Sequence, residues 1–199
     1  MAGGLHAYDG HNHESDLAKR TAKCESDFEP VLEFRKELEE AGLDVPNLVA
    51  SGTPTFPIHS RHADRQCSPG TTVLWDFGYN DGLPDLSFEY AAVLLTRVCS
   101  KPGANRVCLD LGHKAVAADK PQPRVRLFEM ESAMPVVHSE EHLTVETENA
   151  GNLSVGDCCY GVPVHICPTV ALHDKAWVVR EGRAGQSWEI AARRRSLGI

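Results

Sequence analysis

The chain contains no run approaching the roughly 20 apolar residues needed to span a bilayer, so membrane insertion is not expected. Basic charge is also scarce: the formal net charge is −8. A general nucleic-acid binder needs a basic face to neutralise phosphates, and that class is therefore excluded. The one basic run, Arg193-Arg194-Arg195, reads as a solvated tail. A disulfide framework is missing as well, because the seven cysteines are odd in number and scattered over 199 residues. Reduced thiols and a cytoplasmic setting follow. The opening MAGGLHAYDGHNH has neither the basic start nor the long apolar segment of a signal peptide. Repeats and low-complexity tracts are absent. What is present is ordinary for a soluble globular protein, with 42% hydrophobic and 24% charged residues. The length suits one large domain or two small ones.

Two textures divide the chain. GLHAYD (4–9) predicts a short strand, and Ser15–Ala41 predicts a helix, with Leu17, Phe28, Val31, Leu32, Phe34, Leu38 and Leu43 recurring at three- and four-residue steps. Gly42 stops that helix. NLVA (47–50) is a brief apolar run typical of a buried parallel strand, and it leads into SGTPT (51–55). Strand, helix and strand make a βαβ unit, so YDGHNH (8–13) and SGTPT should share one rim where parallel strands end. From Thr71 onward, TTVLWDFGY, AAVLLTRVCS, RVCLDLG, HLTVET, CCYGVPVHICP and KAWVVREG are short runs broken by Gly, Pro, Asn and Asp. That spacing predicts an antiparallel β-domain. The boundary is placed within residues 70–85, giving domains 1–75 and 76–199.

The stretch GVPVHICPTVALHD carries three potential metal ligands, His165, Cys167 and His173. On a strand, alternation would put His165 and Cys167 on one face with Ile166 opposite. An imidazole and a thiolate converging in this way suit zinc, with open positions for water and substrate. On spacing alone, a packed strand with an inert Cys and a hydrogen-bonded His is the commoner outcome. SGTPT offers backbone N–H groups and hydroxyls to a phosphate, or is simply a tight turn. His11 and His13 have the acid–base range of free imidazoles, although surface His pairs are common. SEEHL (139–143), with Glu140, Glu141 and His142, reads as a solvated turn, and Cys158-Cys159 as core packing. Lys114 lacks the apolar surroundings of a Schiff-base lysine and is expected in an ion pair or in water.

In this order, YDGH, SGTPT, WDFGY (75–79), LDLGHKA, SEEH and PVHICPT resemble the D-threonine aldolase and D-serine dehydratase family across essentially the whole chain. SEEH followed by HxCPT is the most specific part. The resemblance implies an α/β plus β fold: part of a pyridoxal-phosphate-binding (β/α) barrel of the alanine-racemase-like class, then an antiparallel β-domain. It implies pyridoxal 5′-phosphate (PLP) and a divalent metal as cofactors, and a small D-amino acid as substrate. His165 and Cys167 match the metal pair. A cysteine there leans toward zinc, where the aspartate of the aldolase branch would suit manganese or another hard divalent ion. Ser51, Gly52 and Thr53 match the phosphate cradle, and Tyr8 the residue at the cofactor ring. Asp76 and Tyr79 fall where the last barrel strand nears the cofactor, and His13 falls near an acid–base histidine. The family's architecture implies a homodimer.

One departure qualifies the match. The lysine that carries PLP in this family lies in an N-terminal segment with no counterpart here, and Lys19, Lys23 and Lys36 fall within the charged helix. The chain is expected to begin partway round the barrel and to lack activity alone. A subunit or remnant that depends on a partner, and a stand-alone zinc-binding β-domain, are the readings set beside the lyase.

Overall fold

A computed structural model describes residues 3–194 of the chain. The first predicted strand forms as β1 (Leu5–Tyr8), with Leu5 and Ala7 turned inward. It is followed by α1 (Leu17–Glu40), which starts where the Asp16 side chain accepts the Lys19 N–H at 2.9 Å. The helix ends at Gly42, φ +79°, with the Leu43 N–H reaching back to Leu38 O. That pair of features is a Schellman close, which needs a residue at ease in the left-handed region. The buried stripe of α1 runs Arg20, Cys24, Phe28, continuing to the half-buried Val31 and Leu32. Phe34 and Leu43, expected on that stripe, are exposed. A charged residue takes a buried place instead: Arg20 donates to Glu14 O at 2.6 Å and pairs with Asp85, which is what permits a guanidinium to be buried.

The chain continues through β2 (Leu48–Ser51), α2 (Phe56–His59) and β3 (Gln66–Cys67). β1 and β2 pair in parallel with Tyr8 opposite Ser51, as the βαβ pattern predicts, and β3 adds to the far side of β2. Phe28, Leu48 and Ala50 are the buried centre of this part. TTVLWDFGY, expected among the β-runs, is not a strand. Thr71–Val73 is a 3-10 turn, Trp75 reverses the chain at φ +59°, and α3 (Phe77–Gly82) follows. The Trp75 N–H closes the reversal on Thr71 O at 2.7 Å. Its ring is fully buried, near Tyr79 and Phe88.

Beyond it come β4 (Leu94–Gly103), β5 (Arg106–Leu109), β6 (Val125–Leu127), β7 (Met134–His138), β8 (Leu143–Glu146) and β9 (Cys158–Pro163). They form one antiparallel sheet in the order β6-β9-β4-β5-β8-β7. Alternate residues Leu94 and Val98, Val107 and Leu109, and Leu143 and Val145 make its core. Cys159 joins that core as expected, whereas Cys158 faces solvent, because neighbours on a strand point to opposite sides. β9 runs into α4 (Ile166–Val170), after which β10 (Lys175–Arg180) and β11 (Arg183–Glu189) pair as a hairpin. Glu181 and Gly182, φ +51° and +73°, make its two-residue turn. Arg193 and Arg194 pair with Asp174 and Glu189, and Arg195 lies outside the described residues. By compactness the chain falls into Met1–Trp75 with Tyr79–Glu89 as unit 1, and Asp76–Gly78 with Tyr90–Ile199 as unit 2. No helix among the described residues is long and apolar enough to cross a membrane.

Candidate metal and cofactor sites

In unit 2, His165 and Cys167 come together, but not by strand alternation. His165 is the last extended residue (φ −142°, ψ 102°) and caps α4, whose first turn carries Cys167. Pro168 in that turn costs no helical hydrogen bond, because the first N–H groups of a helix have no partner within it. The His165 ring is hydrogen-bonded to the Cys167 side chain, and its Nδ1 lies 2.6 Å from Asp119 Oδ2. The contact with Cys167, then that with Asp119, hold the imidazole above its ordinary pKa against the opposing pull of burial. The Nε2 of His173, the third potential ligand of the run, sits 2.7 Å from Ala115 O. A thiol and an imidazole already in contact, with Cys167 exposed, form a donor set that fits zinc.

Segments distant in sequence build this corner. Asp76 is 1% exposed, and its Oδ2 accepts the Ile166 N–H at 2.9 Å, holding the start of α4. Gly78 packs so closely that a Cβ there would overlap the Val164 carbonyl oxygen. Phe77 stacks under the Arg126 guanidinium at 4.5 Å. Asp76 and Gly78 thus pack against the segment that carries Val164 and Ile166. LDLGHKA and SEEH are likewise joined: the His113 and Lys114 N–H groups bond Ser139 O and Glu140 O at 2.9 and 3.0 Å. A Cβ on Gly112 would overlap Glu140 O. Lys114 is ion-paired with Glu140 and Glu141 at 3.0 and 2.7 Å, as expected, and those contacts raise its ammonium to about 12.

In unit 1, the C-terminal ends of β1 and β2 bring YDGHNH and SGTPT to one rim, as the sequence predicts. Tyr8 stands there 71% exposed. Ser51 Oγ lies 2.9 Å from His6 Nε2 and 3.2 Å from Ala7 O, so its hydroxyl is engaged within the sheet. Thr53 Oγ1 accepts the Thr71 N–H at 3.1 Å, a role that leaves its own O–H able to donate. Gly52 turns at φ +142°, and a Cβ on it would sit 2.5 Å from Asp9 Oδ1, so only glycine fits the turn. His13 is exposed, its ring 6.4 Å from that of Tyr79.

Beneath this rim lies a cluster that the sequence pattern did not reveal. Asp9 accepts from Thr55 Oγ1 at 2.5 Å and lies 2.8 Å from His59 Nε2 and 3.5 Å from Cys24 Sγ. Asp9, Cys24 and His59 are buried, with ligand-type atoms within 4.8 Å of one another. Arg65 Nη1 sits 3.0 Å from His59 Nδ1, and a guanidinium can only donate. Nδ1 therefore accepts, and the ring proton goes to Nε2, aimed at Asp9. Burial, and then the Asp9 charge, push the Cys24 thiol up to about 12. The three ligand-type atoms are each engaged in hydrogen bonds within the cluster and with Arg65. The cluster is a hydrogen-bonded knot that fixes the two strand ends to α1 and α2. Under native conditions iodoacetamide should modify the exposed Cys99, Cys158 and Cys167 and spare Cys24. Peptide mass spectrometry checks this, and labelling of Cys24 at the rate of the exposed thiols would contradict it.

Several known proteins are similar to this chain. A family model described as "Putative serine dehydratase domain" matches residues 91–179. An uncharacterised protein of Mycobacterium tuberculosis (strain ATCC 25618 / H37Rv) is 32% identical over 113 residues, which is 55% of this chain and 85% of that protein. D-threonine aldolase of Arthrobacter sp is 29% identical over 195 residues, covering 96% of this chain and 51% of the aldolase. The crystal structure of D-threonine aldolase from Filomicrobium marinum matches with a TM-score of 0.86 at 25% identity, over 97% of this chain and 54% of that one. The fold is therefore a partial one of the alanine-racemase-like class. The chain belongs to the D-threonine aldolase and D-serine dehydratase family, and spans about half the length of the two aldolases.

Proposed function

We propose that this chain supplies the metal-bearing part of a PLP- and metal-dependent lyase acting on D-3-hydroxy amino acids, by D-serine dehydration or D-threonine retro-aldol cleavage. The observation that carries the reading is the contact of His165 with Cys167 at the end of β9, in a chain 29% identical to a D-threonine aldolase over 96% of its length. The division at residues 75 and 76 belongs to this reading, with a barrel part before it and the β-domain after it.

When bound, PLP supplies an electron sink for the bond broken at the substrate α-carbon, and the metal a Lewis acid for the β-hydroxyl. His165 Nε2 and Cys167 Sγ would hold that metal, with zinc favoured over manganese by the thiolate. Asp76 acts here through the Ile166 N–H, orienting the helix start between the two ligands. Tyr8 and Tyr79 would lie at the cofactor ring. The turn Ser51-Gly52-Thr53 would meet the phosphate with backbone N–H groups and the Thr53 O–H, because the Ser51 hydroxyl is already engaged. His13 would take or return the proton of the β-oxygen.

One observation favours a second reading, in which another segment or subunit completes the site. All three lysines of unit 1, Lys19, Lys23 and Lys36, lie on α1 and not at the strand ends. The test is a PLP titration of the purified chain, followed by borohydride reduction, peptide mapping and metal analysis. The lyase reading expects saturable PLP binding, one zinc per chain lost in His165→Ala and Cys167→Ala, no labelled lysine, and no steady turnover of D-serine or D-threonine. A chain that binds neither ligand would sink it, and a labelled lysine with turnover would overturn the need for a completing segment.

A further inference from the structure

Asp119 is the least explained group near His165. It lies in the long connection between β5 and β6, and no motif marks it. That connection is stitched to α4 from both sides. The buried Thr169 hydroxyl accepts the Ala117 N–H at 3.2 Å and donates to His165 O at 2.8 Å, while His173 reaches Ala115 O at 2.7 Å. Val116 and Ala117 are themselves buried in unit 2. The backbone on either side of His165 is thus tied to the backbone just before Asp119, and the carboxylate is held, not draped, at 2.6 Å from His165 Nδ1. The side chains of His165 and Asp119 remain 31% and 41% exposed, and an ion pair that open contributes little to stability. Its geometry has another use.

We infer that Asp119 is a positioning residue for metal binding: it takes the Nδ1–H of His165, fixes the ring's tautomer and rotation, and leaves Nε2 as the ligand atom. A carboxylate accepts only, so the Nδ1 proton is required by the contact itself, and a neutral ring then carries its lone pair on Nε2. A carboxylate behind a ligating imidazole also raises the basicity of the ligand atom, and loss of such a partner weakens metal binding ten- to a hundredfold. The inference rests on the metal reading of His165 and Cys167 and names a third residue for that site.

The test is zinc affinity of the full chain, by competition with a chromophoric chelator, for wild type, Asp119→Asn, Asp119→Ala, Asp119→Glu and His165→Ala. Asp119→Ala should weaken zinc by about ten- to a hundredfold. Asp119→Asn, whose amide oxygen still accepts from Nδ1, should fall between it and wild type, and Asp119→Glu should recover part of the loss. The thermal midpoint of the metal-stripped chain should be the same in all the Asp119 variants, which separates positioning from a structural role. Wild-type affinity in Asp119→Ala, with His165→Ala defective, would overturn the inference and leave the metal site standing. A wild-type chain that binds no zinc would end both.

Discussion

Asp9→Ala should destabilise unit 1 by roughly 2–6 kcal/mol, because two buried donors lose their acceptor at about 1–3 kcal/mol each. The carboxylate is 6% exposed, and its removal leaves the His59 Nε2–H and the Thr55 hydroxyl without their acceptor. Urea unfolding of the variant against wild type measures this, and a loss under 1 kcal/mol would mean that the knot does not hold the strand ends. The same group sets a pH dependence. Burial pushes the Asp9 carboxyl up, but hydrogen bonds from His59, Thr55 and Cys24 together bring it below its ordinary value of 3.8. A carboxyl lowered by folding contributes stability that is fully present above the unfolded value and is lost as pH falls through the folded one. The wild-type urea midpoint should therefore drop below about pH 4 more steeply than that of Asp9→Asn, which has no proton to gain there. Parallel profiles would contradict the assignment.

Gly78→Ala should disturb unit 2 and its metal pair together. The added Cβ meets the Val164 carbonyl, a backbone atom one residue before His165, and the strand end has to move. Overpacking of this kind costs about 1–3 kcal/mol. Because the displaced segment carries His165, zinc affinity should fall at least about tenfold, in line with the sensitivity of metal sites to the groups that orient their ligands. Gly82→Ala is the control: a Cβ there meets nothing within 4 Å, so stability and zinc binding should match wild type. Equal zinc affinity in Gly78→Ala and Gly82→Ala would separate the WDFG contact from the metal site.

Much of the fold could be read from local pattern, because local pattern is what decides it. Asp16 and Gly42 bracket α1 by capping chemistry, and alternation marks β4, β5 and β8. β3, with only Gln66 and Cys67, is too short to show a period. TTVLWDFGY misled because apolar content alone does not separate a strand from a buried turn, and the reversal at Trp75 is paid for by tertiary burial of its ring. HICPT misled in the opposite sense. A strand was expected, although Pro168 is a helix-start signal, and the ligand pair survives because a helix cap and its first turn also bring two side chains together. Asp119, like Asp9, His59 and Arg65, had no signature. Asp119 meets His165 across 46 positions and Asp9 meets His59 across 50, where no spacing rule applies.

The most direct measurement is cobalt(II) titration of the metal-stripped chain, followed by absorbance. The account predicts a thiolate-to-cobalt charge-transfer band that disappears in Cys167→Ser, weakens in His165→Ala and is unchanged in Cys24→Ser. A band that survives Cys167→Ser but is lost in Cys24→Ser would place the metal in the Asp9–Cys24–His59 cluster and contradict the reading of His165 and Cys167.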